Sequence, residues 1–150
     1  MRGGCRNLGA RRFVGFDGPT PGHSLNWMIV VKQRVLIVED EALVRIIAAT
    51  MLQDAGFDTL EADTAEDALH LLEQGHDVSV LFSDIQLPGK MDGLALARTV
   101  HDRWPEIGLV LTSGGLNIRK DQIPDDGDFL PKPYDANEMV EAVREQCETV

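Results

Sequence analysis

Five residues of this chain have the types and positions to do chemistry together: Glu39, Asp40, Asp84, Thr112 and Lys132. Each sits at the C-terminal end of a short apolar run that reads as a β-strand: Val35-Leu36-Ile37-Val38, Val80-Leu81-Phe82-Ser83, Leu109-Val110-Leu111 and Phe129-Leu130. In an open α/β sheet such ends share one edge, and ligands bind there. Carboxylate oxygens are the ligands that hard divalent cations take, while an ammonium and a hydroxyl can donate to phosphoryl oxygens. Gathered at one edge, these side chains would hold a divalent cation and a phosphoryl group. Taken singly, Thr112 reads equally well as a strand residue and Lys132 as a surface charge. Their joint placement favours the chemical reading.

The elements that must position them alternate between strand and helix patterns after Met28. The run ending at Val38 is followed by Ala42, Leu43, Ile46, Ile47, Thr50 and Met51, whose 3.6-residue spacing predicts a helix with that apolar stripe, stopped by Gly56. A second strand covers residues 59–62. Asp63 with Glu66 reads as a capping box for a helix carrying Ala65, Ala68, Leu69 and Leu72 and ending near Gly75. Residues 78–83 form an almost unbroken apolar run, as in a central parallel strand buried on both faces. Asp92 suits the N-cap of a helix through Leu94, Ala95, Ala97 and Val100, and Pro105 separates it from a strand at 108–112. After a short strand at 129–130, Asp135 and Glu138 have capping-box spacing and open a helix that turns Met139, Val140, Ala142, Val143 and Cys147 inward. Five βα units with short connections make an α/β fold, a five-stranded parallel sheet with helices on both faces. The connection over 113–128 is the exception. It opens on Gly114-Gly115, contains Pro124 and lacks apolar periodicity, so a helix there spans at most 116–123 and is short or irregular.

A chain of 150 residues has room for one core, and 43% hydrophobic with 26% charged residues is ordinary for a globular domain. The net charge of −11 is unevenly spread: residues 1–34 hold six basic groups and one acid, leaving a balance of −16 beyond them. A body so acidic is repelled by DNA phosphates and anionic lipid, which argues against direct nucleic-acid or membrane binding. No stretch approaches the roughly 20 apolar residues of a membrane span. Cys5 and Cys147 stand at opposite ends and suggest no disulfide framework, so a reducing cytoplasm is expected. The four histidines show no ligand spacing. Residues 1–30, rich in Gly, Arg and Pro, are expected to be a disordered extension without the apolar run of a secretory signal, and Met28 is an alternative start. The folded domain is expected over 31–150.

Four stretches carry a family resemblance: Val35-Leu36-Ile37-Val38-Glu39-Asp40-Glu41, then Asp84-Ile85-Gln86-Leu87-Pro88 with Met91-Asp92-Gly93, then Leu111-Thr112-Ser113, then Phe129-Leu130-Pro131-Lys132-Pro133. In type and order they resemble the motifs of the receiver domain of two-component response regulators, over about residues 34–150. The resemblance implies a flavodoxin-like, doubly wound sheet with strand order 2-1-3-4-5. It implies that Asp84 accepts a phosphoryl group and that Mg²⁺ is held by Asp40, Asp84 and the backbone carbonyl of Gln86, with Glu39 acting through a water. Thr112 and Lys132 would bind phosphoryl oxygens, and Phe129 would move with Thr112 as a switch. The implied partners are a histidine kinase or histidine phosphotransfer protein and a downstream protein. The implied role is regulatory, catalysing only its own phosphorylation and dephosphorylation, as a monomer or weak dimer. With no residues left for an output domain after the last helix, a stand-alone, chemotaxis-type receiver is expected. Receivers usually place a full fourth helix where residues 113–128 lie, so that segment is expected to be mobile until activation.

Two departures stand out. Glu39 occupies a position that is often Asp, and Gly89 with Lys90 makes the phosphorylation loop one residue longer. Other classes fit less well. An aspartyl-nucleophile phosphatase of the haloacid-dehalogenase type wants a second Asp two positions after the nucleophile, where this chain has Gln86. A flavodoxin-like electron carrier wants a hydroxyl- and Gly-rich phosphate loop after the first strand, where Glu39-Asp40-Glu41 would repel the flavin phosphate. A receiver segment of a hybrid histidine kinase is a further alternative.

Overall fold

The computed structural model of the protein describes residues 13–14, 29–30, 32–115 and 118–147. Its middle layer is a parallel sheet of β1 (Arg34–Val38), β2 (Asp58–Ala62), β3 (Val80–Asp84), β4 (Gly108–Ser113) and β5 (Asp128–Pro131). The spatial order is β2-β1-β3-β4-β5, as the resemblance implies. Side chains alternate across the pleat. Val35 and Ile37 of β1 enter a core with α1 (Ala42–Asp54) and α4 (Ala136–Cys147), while Leu36 and Val38 enter another with α2 (Ala65–Glu73) and α3 (Gly93–Arg103). From β1 the chain turns outward to β2, then crosses back to β3 on the other side of β1. The crevice beyond β1 and β3 is therefore the point where the winding reverses, the place such sheets use for ligands.

Most of the expected caps form. Asp92 Oδ1 accepts from the Ala95 N–H at 2.8 Å, and Asp135 and Glu138 exchange backbone-to-carboxylate bonds of 2.8 and 3.0 Å. The cap of α2 differs from expectation. Thr64, not Asp63, accepts from the Asp67 N–H at 3.0 Å, because β2 runs to Ala62 and the chain stays extended through Thr64.

The stripe of α1 also differs. Ala48, Ala49 and Leu52 are buried, whereas Leu43, Ile46 and Ile47 are 69%, 52% and 46% exposed. Two stripes in this helix match the same period: 43/46/47/50, which is apolar and bulky, and 45/48/49/52, which begins with an arginine. The second wins because two alanines let the helix axis come close to Val35 and Ile37, which isoleucines would prevent.

The β4–β5 connection is irregular. Over its described part it holds two single 3₁₀ turns, Lys120–Gln122 and Pro124–Asp126, with Ile123 between them buried in the core under α2 and α3. The expected extension at 1–30 falls largely outside the described residues. Within it, Phe13–Val14 and Ile29–Val30, residue types that favour strands, pair antiparallel, a short ladder that the Gly- and Arg-rich composition did not foreshadow. Among the described residues no helix is long and apolar enough to cross a membrane.

Gly93 shows how tightly α3 is set against the site. Its N–H donates to the Ile85 carbonyl at 2.8 Å, and a Cβ on it would stand 2.0 Å from the Asp84 carbonyl oxygen. Gly93→Ala must therefore move backbone. In denaturant titrations it is expected to destabilise by at least the ~1–3 kcal/mol typical of overpacking. A loss below about 0.5 kcal/mol, the size of an ordinary surface change, would mean that α3 is free to shift.

Candidate functional site

Strand register brings the site together. Asp84 ends β3 directly opposite Thr112 of β4, and Val38 of β1 lies opposite Ser83, so Glu39 emerges beside Asp84. Lys132 follows β5, with its N–H donating to the Ser113 carbonyl at 3.0 Å. Its side chain reaches back over two strands: Nζ donates to Glu39 Oε1 at 2.9 Å and to Asp84 Oδ2 at 3.2 Å. Glu39, Asp40 and Asp84 each offer a carboxylate oxygen within 4.8 Å of the others. Glu39 and Asp84 are buried; Asp40 is exposed and has no side-chain partner among the described residues.

The electrostatics are lopsided. Two carboxylates at that separation repel by about 3.5 kcal/mol at an effective dielectric of about 20, and three share the crevice with one ammonium. Burial pushes the Glu39 carboxyl above its ordinary 4.5, and the bonds from Lys132 and the Glu41 N–H only partly oppose it. Burial alone would lower the Lys132 ammonium, but its bonds to Glu39 and Asp84 outweigh that and hold it above 10.5. The pair thus favours a charged lysine more firmly than a charged glutamate. An all-oxygen set of three clustered carboxylates suits a hard divalent cation, which would take up the charge that one lysine leaves unbalanced.

The remaining expected residues are near but differently placed. The Thr112 hydroxyl is buried with no hydrogen-bond partner among the described residues, a cost of roughly 1–3 kcal/mol unless something binds there. The Gln86 N–H donates to Asp84 Oδ1 at 3.2 Å, holding the carboxylate from the loop side, while the Gln86 side chain lies near Gly115. Phe129 stands opposite Leu111 and is half-buried against the core under α2 and α3. In the longer loop, Gly89 has φ +94°, a conformation that favours glycine, and lies against the Glu66 carboxylate. Lys90 is exposed and makes no ion pair among the described residues.

Two contributors lie outside the residues singled out from sequence. Arg45 Nη1 donates to the Glu39 carbonyl at 2.8 Å. An apolar groove of about 240 Å³ runs from Lys132, Pro133 and Tyr134 along Val44, Ile47 and Met51. Nothing in the sequence singles out Arg45, because the helix stripe expected to be buried is the one through Leu43, Ile46 and Ile47.

Three carboxylates, a hydroxyl and a lysine thus meet at the switch point of a doubly wound parallel sheet. Residues 35–144 match the family model for the response regulator receiver domain, and the chain belongs to that family. Over 118 residues it is 34% identical to the sensor kinase CckA of Brucella abortus, covering 76% of this chain and 12% of that protein. It is 35% identical over 118 residues to the transcriptional regulatory protein AruR of Pseudomonas aeruginosa, covering 71% of this chain and 46% of that protein. The crystal structure of the receiver domain of the hybrid histidine kinase CckA superposes with a TM-score of 0.67 at 33% identity, covering 77% of this chain and 99% of that one. The chain thus spans less than half the length of these full-length relatives.

The raised Lys132 pKa sets a pH dependence. A cation held above its unfolded value stabilises the fold fully below that value and loses the effect as pH rises through the folded one. In chelator, the stability difference between wild type and Lys132→Met is therefore expected to be constant from above the range in which its partner Glu39 titrates up to about pH 10.4, the ordinary lysine value, and to shrink above it. A difference that holds on the alkaline side contradicts the pairing.

Proposed function

We propose that Asp84 takes a phosphoryl group from a histidine kinase or histidine phosphotransfer protein and that the protein signals by the resulting change of surface. The observation that carries this reading is the buried Thr112 hydroxyl, in register with Asp84 and without a hydrogen-bond partner among the described residues. A phosphoryl oxygen on Asp84 would give it the partner it lacks. An Asp84 carboxylate oxygen attacks phosphorus, the P–N bond to the donor imidazole breaks, and its electron pair leaves with the imidazole. Mg²⁺, held by Asp40, Asp84 and the Gln86 carbonyl and through a water by Glu39, would neutralise charge on the incoming group. Lys132 then donates to the phosphoryl group, and Thr112 and Phe129 shift as a pair.

The energies suffice for a switch. Phosphorylation adds about −1.5 to −2 charges. Two charge-assisted bonds at roughly 1.5–3 kcal/mol each supply about 3–6 kcal/mol, against about 5.5 kcal/mol to move an equilibrium from 1:99 to 99:1. The phosphodonor docks on the exposed Leu43, Ile46 and Ile47 and the adjoining groove, which Lys132 itself lines. The β4–β5 connection, with no full helix among its described residues, is the output surface for the downstream protein. The setting is the cytoplasm, the working form is a monomer or weak dimer, and the fold's only catalysis is its own phosphorylation and dephosphorylation. The sequence similarity to CckA favours a second reading of context, in which the same chemistry serves as the receiver segment of a hybrid kinase.

Acetyl phosphate with Mg²⁺ is expected to add one phosphoryl group to the wild type, mapped to Asp84 by mass spectrometry, and none to Asp84→Asn. Ile46→Lys should keep that reaction but slow transfer from a phosphorylated histidine kinase at least several-fold. Label elsewhere or nowhere would overturn the reading of the site. Equal transfer to Ile46→Lys would move the docking surface off α1.

A further inference from the structure

Glu39 is fastened at four points. Its N–H donates to the Ala62 carbonyl at 3.1 Å, one carboxylate oxygen accepts from Lys132 at 2.9 Å, and the other accepts from the Glu41 N–H at 3.2 Å. The fourth is the Glu39 carbonyl, which accepts from Arg45 Nη1 at 2.8 Å. Arg45 is outside the acidic cluster and outside the motifs that carry the family resemblance. Its Nε donates to Glu61 Oε1 on β2 at 3.1 Å, and its side chain is only 19% exposed. The planar guanidinium thus spans α1, β2 and the corner between β1 and α1, and two bonds from one plane fix its orientation. The corner has little else to hold it on the helix side. Glu41 is the N-cap of α1, and its side chain makes no capping bond.

The carbonyl that Arg45 grips belongs to the peptide linking Glu39 to Asp40. Turning that peptide swings the Asp40 carboxylate. Asp40 is exposed and has no side-chain partner among the described residues, so its position follows from the backbone. We propose that Arg45 is a positioning residue of the cation site, holding the Glu39–Asp40 peptide so that the Asp40 carboxylate faces Asp84 across the crevice. The inference rests on the reading of Glu39, Asp40 and Asp84 as the Mg²⁺ site.

Sign separates this role from simpler ones. Groups that orient metal ligands from the second layer change affinity by about 10–100-fold when removed. Arg45 acts through one peptide unit, which places it near tenfold. Electrostatics alone has the opposite sign, because removing a cation beside a cation site strengthens Mg²⁺ binding. A purely structural cross-link lowers metal-free stability and leaves the affinity of the folded protein unchanged.

The test is calorimetric titration of Mg²⁺ into wild type, Arg45→Met and Arg45→Lys, with thermal unfolding of each in chelator. Methionine keeps a packing stem and removes the donors; lysine keeps the charge and one donor group. Arg45→Met is expected to bind Mg²⁺ about tenfold more weakly, and Arg45→Lys to recover part of the loss. Equal or tighter binding by Arg45→Met overturns the proposal, whatever happens to stability. Should Arg45→Met not fold, Arg45→Lys decides: several-fold weaker binding supports the role, and wild-type affinity overturns it. Wild type that fails to bind Mg²⁺ would overturn the reading of the site itself, a result distinct from wild type that binds and variants that bind equally.

Discussion

The Lys132 ammonium, bonded to Glu39 and Asp84, is the interaction around which the site is organised. It brings a positive charge into a crevice holding three carboxylates, two of them buried. Lys132 can do this because only two strands, β3 and β4, separate β5 from β1 and its side chain is long enough to lie across the sheet edge. The balance is incomplete: Glu39 remains harder to ionise than an ordinary glutamate because burial outweighs the lysine. On the proposed reading, a divalent cation would neutralise what one lysine leaves unbalanced, and a phosphoryl group on Asp84 would offer that lysine a better partner than either carboxylate.

Everything around that bond keeps the groups in reach without letting them relax apart. Parallel register sets Asp84 against Thr112, and the Gln86 and Glu41 N–H groups each hold a carboxylate oxygen from the backbone side. Gly93 lets α3 approach so closely that the Asp84 carbonyl has nowhere to go. Rigidity is therefore concentrated on the β3–α3 side. The β4–β5 connection, by contrast, has only Ile123 buried among the residues of its two short 3₁₀ turns and their junction. On the proposed reading, a change at Thr112 would propagate that way.

Much of this was legible in the sequence. Apolar runs that stop at a charged or hydroxyl residue marked four strand ends, and the edge they share follows from parallel topology. Where the reading missed, the signal was degenerate or tertiary. In α1, two stripes fit one period, and the choice between them depended on how closely alanine allows a helix to approach a sheet. The α2 cap shifted from Asp63 to Thr64 because both are good capping residues and only the end of β2 decides. Arg45 was invisible as a site residue, since a lone arginine in a helix normally marks a solvated face, and its target is a backbone carbonyl that sequence does not display.

The central claim is that the lysine exchanges a carboxylate for the phosphoryl group and that the buried threonine completes the binding. A crystal structure with Mg²⁺ and beryllofluoride, a phosphoryl mimic, tests it most directly. The expected result is a fluoride-bearing adduct on Asp84, with Lys132 Nζ and Thr112 Oγ1 both within hydrogen-bond distance of fluorine and the Lys132–Glu39 contact opened. An adduct with Lys132 still bonded to Glu39 and the Thr112 hydroxyl still unpartnered would contradict it.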